Sequence, residues 1–246
     1  MRLASRCVGL ALAALVGSDA HARTALLKTQ AGSVVHWARA EVVVGIDAAA
    51  GSQNIERMDV VQAIQRAAHA WNRIPASQPH IRFTAEADRD VTIRFCRGKW
   101  QGNAIDLGNT KYDASPRDGS VLSAVIELNE CDYKFTPPGE SDTDPLDLQS
   151  VLTHEFGHVL GLGHSASANT VMFPSGKGVY VRLPTRDDQT ALAVLYIGRD
   201  LQPSIYATAL PAPGPLLPVT SPKTINLGET TQLPSLSKSR IPSYRR

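Results

Sequence analysis

The most informative part of this sequence is the stretch His154-Glu155-Phe156-Gly157-His158-Val159-Leu160-Gly161-Leu162-Gly163-His164. Residues four apart lie on the same face of an α-helix, so a helix through His154 and His158 presents both imidazoles to one point. Gly161 and Gly163 favour a sharp turn at the end of that helix, because glycine accepts positive φ angles. His164 then returns toward the same point. The spacing therefore predicts three imidazoles that converge at a cleft.

Three neutral imidazoles with a fourth position open to water are typical of a catalytic zinc site. We therefore predict His154, His158 and His164 as the ligands of one zinc ion. Glu155 lies between the two helical histidines, where its carboxylate can act on the water rather than bind the metal. Zinc lowers the pKa of a bound water to about 7. As general base and then general acid, Glu155 would pass a proton from that water to a leaving amine.

The same stretch resembles the signature of the metzincin zinc proteases. Within that group the chain is similar to the matrixins, the family of matrix metalloproteinases and their bacterial relatives. Ser165 follows the third histidine, as in matrixins, and Val171-Met172-Phe173-Pro174 resembles their Met-turn. Residues 183–198 resemble the helix that closes the matrixin domain. The resemblance implies a structural role for Met172, as the hydrophobic floor under the metal.

The pattern of apolar residues predicts an α+β fold. A helix over residues 56–74 carries one apolar stripe and ends before Pro75. The other predicted elements are a strand within 34–47, strands at 81–84, 91–95 and 120–129, an active-site helix over about 145–160 and a closing helix over about 185–197. This order is similar to that of the matrixin catalytic domain. The resemblance implies a mixed twisted sheet with a long helix, an active-site helix and a C-terminal helix.

Further expectations concern the surroundings of the site. Asp144 and Pro145 look like the cap and first turn of the active-site helix. Residues 97–120 are rich in glycine and polar residues and are predicted to be a loop. The strand at 120–129 is predicted to border the cleft and to pair with the substrate backbone, as an edge strand does in the family that the chain resembles. Residues 175–186 are expected to wall the pocket just past the scissile bond.

Both ends of the chain are predicted to lie outside the folded domain, which we place at residues 23–199. Residues 1–22 look like a secretory signal peptide, with Arg2 and Arg6, an apolar run and a small-residue cleavage site. That run is shorter than the ~20 residues that a membrane-spanning helix needs; an uncleaved N-terminal anchor is the alternative. Residues 200–246 are rich in proline and are predicted to form an extended, disordered tail. We therefore expect export to the extracellular space or the periplasm.

Cys96 and Cys131 are the two cysteines that remain once the signal peptide is removed. An oxidising compartment favours their pairing, so we predict a disulfide bond between them. Two free thiols are the alternative. Sequence alone does not say whether their Cα atoms come within bonding range.

The sequence gives weaker signals for a second metal. Asp106, Asp113 and Asp118 could bind calcium through their carboxylates, but their spacing fits no defined calcium motif. Many matrixins carry a second, structural zinc held largely by histidines. This sequence has no histidine between His80 and His154, so we predict one zinc ion and no structural site.

The formal net charge of +2 over 246 residues gives no electrostatic reason to expect nucleic acid or an anionic membrane as a partner. We expect a monomer that acts on protein or peptide substrates, as a secreted zinc-dependent endopeptidase. The alternative is a secreted zinc-binding adhesion or interaction module that keeps the metzincin scaffold without turnover. Glu155 favours the enzyme, because a silent site has no chemical need for that carboxylate.

Overall fold

The computed structural model describes residues 24–75, 78–138, 146–174 and 182–202. These residues form five strands and three helices, with four strands in succession and two helices at the end, which confirms the predicted α+β class. The elements are β1 Glu41–Ile46, α1 Arg57–Asn72, β2 His80–Phe83, β3 Val91–Phe95, β4 Gly108–Ala114, β5 Val121–Leu128, α2 Leu148–Val159 and α3 Arg186–Tyr196. The predicted long helix, active-site helix and closing helix correspond to α1, α2 and α3.

The five strands form one sheet in the order β2-β1-β3-β5-β4. The first four in this order run parallel, and β4 pairs antiparallel with β5 at one edge. The mixed sheet that the resemblance implied is therefore present. β1 is buried along almost its whole length, as expected for a parallel strand inside a sheet. β4 differs, because its residues are only half-buried or exposed.

Two buried tryptophans hold α2 in place. The Trp71 indole on α1 donates a hydrogen bond to the Thr153 carbonyl over 2.8 Å. The Trp37 indole, just before β1, donates to the Val159 carbonyl over 2.7 Å. Both rings are fully buried. Helix α2 is thus fixed near its middle and at its end, which matters because it carries two of the three histidines.

Two predictions about the cleft are wrong. Residues 97–120 are not all loop, because they contain β4. The strand predicted to border the cleft, now β5, lies between β3 and β4 in the sheet, so β4 is the edge strand. The sequence of β4, Gly-Asn-Thr-Lys-Tyr-Asp-Ala, does not alternate apolar and polar residues. Its strand conformation is set by pairing with β5 rather than by a hydrophobic pattern of its own.

The start of the active-site helix also differs from the prediction. Helix α2 begins at Leu148, and its cap is Asp147 rather than Asp144. The Asp147 carboxylate accepts hydrogen bonds from the Ser150 backbone N–H at 2.8 Å and from its hydroxyl at 2.6 Å. Arg182 pairs with the same carboxylate at 2.9 Å. Asp144 and Pro145 lie outside the described residues.

The predicted disulfide bond is confirmed. Cys96, just after β3, is bonded to Cys131, just after β5, with their Cα atoms 5.5 Å apart. The bond joins the ends of two neighbouring strands beside the loop that leads into β4.

The predicted signal peptide lies outside the described residues, as does the predicted tail beyond Gln202. At Gln202 itself the backbone still pairs with the domain. Its N–H donates to the Ala38 carbonyl over 2.8 Å, and its carbonyl accepts from the Ala40 N–H over 2.7 Å. None of the helices in the described part of the chain is long and apolar enough to cross a bilayer.

Candidate metal centre

The three predicted histidines come together at the end of α2. Each offers one ring nitrogen, and these nitrogens lie within 4.8 Å of one another. His154 and His158 are half-buried on one face of α2, whereas His164 is exposed. Gly161 makes the turn between the end of α2 and His164, with a φ of +99°. A Cβ atom at this position would lie 2.4 Å from the Val35 carbonyl oxygen. Glycine is therefore required there on two counts, conformation and space.

Backbone carbonyls orient two of the three rings. Nδ1 of His154 lies 2.7 Å from the Val171 carbonyl oxygen, and Nδ1 of His158 lies 2.8 Å from the Leu162 carbonyl oxygen. A carbonyl oxygen only accepts, so each Nδ1 carries the proton and donates it. The lone pair of each neutral ring is then on Nε2. This is the second hydrogen bond that metal-binding histidines commonly make.

The protonation state of these rings also fits a metal. Burial lowers the pKa of His154 to about 4, and burial together with the neighbouring His154 lowers the pKa of His158 to about 4. Burial lowers the pKa of His164 as well. Imidazole binds zinc in its neutral form. Three neutral, convergent ring nitrogens, two with a fixed tautomer, are a donor set that fits Zn²⁺.

Glu155 is buried next to this centre, with 4% of its surface exposed. Its Oε2 atom accepts a hydrogen bond from the Thr110 hydroxyl over 2.6 Å. Burial raises the pKa of the Glu155 carboxyl, and the neighbouring His158 and the Thr110 hydrogen bond oppose that rise. A buried carboxylate of raised pKa beside a metal site is suited to take up and release a proton.

The edge strand β4 makes room for Glu155 and supports α2. A Cβ atom on Gly108 would lie 2.6 Å from Oε1 of Glu155, so only glycine allows the carboxylate this position. Gly108, Thr110 and Tyr112 alternate along β4 and therefore share one face. The Tyr112 hydroxyl donates to the His158 carbonyl, and burial raises its pKa well above the usual value.

Sequence reasoning missed these three β4 residues because it placed them in a loop. The available signal was weak. Thr110 and Tyr112 both favour strands and stand two residues apart, but the residues around them are polar. Their contacts with α2 span some 45 positions along the chain, and no local pattern encodes such a pairing.

Met172 is fully buried under α2. A Cβ atom on Gly157 would lie 2.2 Å from the Met172 sulfur. The predicted Met-turn therefore packs directly against α2, the helix that carries two of the histidines. The buried carboxylate of Asp188, on α3, accepts from the N–H groups of Val171 at 3.1 Å and Met172 at 3.4 Å. It also accepts from the Thr185 N–H at 2.9 Å and so caps α3. Asp188 was not predicted as a site residue.

A cleft of about 290 Å³ opens over the three histidines and Glu155. Its lining includes the segment Asp106–Thr110 with Tyr112, and also Val171, Phe173 and Pro174. The lining of the cleft thus combines residues of the edge strand β4 with residues of the predicted Met-turn. Most of the segment expected to wall the pocket, residues 175–181, lies outside the described residues.

The three aspartates considered for calcium are not brought together. Asp106 lies in the cleft wall, and Asp113 is exposed on β4. Asp118 lies in the turn before β5, where hydrogen bonds from Ser120 lower its pKa to about 2. Among the described residues, the histidine triad is the only group of three or more potential metal ligands. Calcium therefore has no support from the structure.

A helix with two histidines one turn apart, a third histidine beyond a glycine turn and a buried methionine beneath them are features typical of a metzincin zinc site. The family model described as Matrixin matches residues 36–197. This chain therefore belongs to the matrixin family, as the resemblance of its signature residues predicted.

Known relatives agree with that assignment. The chain is 31% identical to an interstitial collagenase of Bos taurus over 127 residues, which is 50% of this chain and 25% of the relative. It is 35% identical to Metalloendoproteinase 1-MMP of Arabidopsis thaliana over 121 residues, 48% of this chain and 32% of the relative. The chain is 31% identical to matrilysin of Rattus norvegicus over 149 residues, which is 58% of this chain and 52% of the relative. The chain thus spans between a quarter and about half of the length of these relatives.

Proposed function

We propose that this chain is a secreted zinc-dependent endopeptidase that hydrolyses internal peptide bonds of protein or peptide substrates. The observation that carries the proposal is the convergence of three neutral histidine nitrogens beside the buried carboxylate of Glu155. Neither feature alone indicates catalysis. Together they supply a metal site and a proton acceptor at one point of one cleft.

His154, His158 and His164 would hold the zinc ion. When bound, zinc acts as a Lewis acid that polarises a carbonyl and lowers the pKa of water. The two backbone carbonyls that accept from Nδ1 of His154 and His158 keep those rings aimed at one point. These two rings therefore need no change of tautomer to offer Nε2 to a metal.

Glu155 would move the proton. It accepts a proton from the attacking water and later delivers it to the amine that leaves, as a positioned carboxyl of raised pKa can. The Thr110 hydroxyl occupies Oε2 and leaves Oε1 available for this transfer. Gly108 provides the space in which Oε1 sits. The three residues act as one unit, in which β4 fixes the acid–base group of α2.

The edge strand β4 would also position the substrate. An edge strand has backbone N–H and C=O groups that no neighbouring strand satisfies, and an extended peptide can pair with them. Because β4 forms the wall of the cleft that holds Glu155, a peptide added to it lies across the metal centre. Such a mode depends on the substrate backbone, and it fits cleavage within a chain.

Secretion is part of the proposal. It is supported by the signal-like composition of residues 1–22 and by the Cys96–Cys131 bond, since disulfides persist in oxidising compartments. We also propose a monomer with one zinc ion.

The experiment is to purify the exported protein, incubate it with a mixture of denatured proteins and identify the new peptide termini by mass spectrometry. We expect internal cleavages that stop when a zinc chelator is added and resume when zinc is restored. A zinc-loaded protein that produces no new termini would instead favour the non-catalytic binding module.

A further inference from the structure

The loop before β4 carries an acidic residue at the cleft that takes no part in the proposed proton transfer. Asp106 is half-buried. It lines the same cleft as Glu155 and His164. One of its oxygens, Oδ2, accepts a hydrogen bond from the Asn103 side-chain amide over 3.0 Å. The other oxygen has no donor among the described residues.

Asp106 is held on a well-anchored loop. The side-chain amide of the fully buried Asn129 donates to the Asp106 carbonyl over 3.1 Å, and the Asn129 N–H donates to the Leu107 carbonyl over 2.9 Å. The Tyr133 hydroxyl donates to the Ala104 carbonyl over 2.8 Å. The Cys96–Cys131 bond closes the base of this region. The carboxylate therefore keeps a fixed place relative to the metal centre.

No cation of the protein neutralises this carboxylate in the described structure. The ion pairs found there involve other acidic residues: Glu41, Asp47, Asp90, Glu127 and Asp147. No lysine or arginine lines the described walls of the cleft. A peptide that lies along β4 would pass directly beside Asp106, because Gly108 begins that strand two residues later.

We propose that Asp106 is a specificity-determining residue that selects peptides with a lysine or arginine side chain close to the scissile bond. This inference rests on the proposed endopeptidase function and names part of its substrate class. A cationic side chain would pair with the free oxygen of Asp106. At such a partly solvated position the pair should give roughly a two- to fivefold preference in kcat/KM.

The test uses a peptide that the enzyme cleaves, and derivatives in which lysine, arginine, glutamine or glutamate replaces each residue within four positions of the cleavage site. We measure kcat/KM for every peptide. We expect one position at which lysine and arginine are preferred over glutamine by about two- to fivefold and glutamate is disfavoured. The preference should shrink as the salt concentration rises, because salt screens a partly exposed pair.

Two variants assign the preference to this residue. Asp106→Asn should abolish it, since asparagine can still accept from Asn103 but carries no charge, and Asp106→Lys should reverse it toward glutamate. Asp113→Asn is the matched control. It removes the same charge from an exposed position on the other face of β4, and it should keep the preference.

The outcomes separate this inference from the proposed function. If zinc-loaded enzyme cleaves no peptide, the proposed function fails and the inference falls with it. If peptides are cleaved but basic residues bring no advantage, or if Asp106→Asn keeps that advantage, only the role of Asp106 is overturned.

Discussion

The Thr110 hydroxyl donates a hydrogen bond to Oε2 of Glu155 over 2.6 Å, and so joins the edge strand β4 to the middle of α2. This contact sets the place of the one carboxylate that the mechanism requires. It also explains why the polar strand β4 lies beside the cleft. The strand serves both as the wall for the substrate and as the support for the acid–base group.

Replacing Thr110 tests that support. Thr110→Val keeps the shape of the side chain but removes the donor, so Glu155 loses its fixed position. We expect kcat to fall by about tenfold with KM little changed, because positioning acts on the chemical step. Thr110→Ser restores the hydroxyl and should restore most of kcat. Equal kcat values for Thr110→Val and the wild type, at equal zinc content, would show that the hydrogen bond has no catalytic role.

The buried carboxylate of Asp188 should be important for stability. It accepts from Thr24, Val171 and Thr185, whereas asparagine would turn an amide toward some of these donors. We expect Asp188→Asn to lower the free energy of unfolding by about 2–4 kcal/mol, measured by urea denaturation. Asp113→Asn is the control, because Asp113 is exposed on β4. Similar losses for both variants would contradict this view of Asp188.

The metal-free protein should lose stability in mild acid. Burial lowers the pKa of His154 and His158 to about 4, below the 6.5 of an unfolded chain. Between these values the unfolded state binds more protons, so stability falls as the pH decreases. The slope from these two residues approaches ~2.7 kcal/mol per pH unit. Urea denaturation of chelator-treated protein from pH 7.5 to 5 measures it. A variant with both His154→Gln and His158→Gln should show a flatter dependence, and an unchanged slope would refute the explanation.

The disulfide bond should contribute measurably to stability. Cys96 and Cys131 are 35 residues apart. Closing a loop of that length lowers the entropy of the unfolded chain and so raises the free energy of unfolding by about 3–4 kcal/mol. The double variant Cys96→Ala, Cys131→Ala should therefore unfold at a lower urea concentration. The measurement is the difference in unfolding free energy from the wild type. A difference below about 1 kcal/mol would mean that the closed loop gives little stabilisation.

The residues near the centre of the site could be predicted from sequence because local geometry determines their arrangement. The i, i+4 spacing of His154 and His158 sets two rings on one face of a helix, and the glycines before His164 set the turn. The stripe on α1 was equally clear, since Val60, Ile64 and Trp71 follow the helical period.

What could not be predicted depends on contacts between distant parts of the chain. Thr110 meets Glu155 across 45 positions, and Asp188 meets Val171 across 17. The strand β4 has no hydrophobic alternation, so its place at the edge follows only from pairing with β5. The helix cap was misplaced by three residues, because both Asp144 and Asp147 are acceptable caps by residue type. Only the folded chain shows that Asp147 binds Ser150.

In the proposed mechanism Glu155 performs the proton transfer at a zinc site built by the three histidines. The most direct test is the peptide cleavage rate and the zinc content of Glu155→Gln, measured beside His158→Ala. We expect Glu155→Gln to keep one zinc ion per chain while kcat falls by about 10²–10⁴-fold. His158→Ala should lose activity together with zinc affinity. Near-normal cleavage by zinc-loaded Glu155→Gln would contradict both the mechanism and the assignment of α2 as the active-site helix.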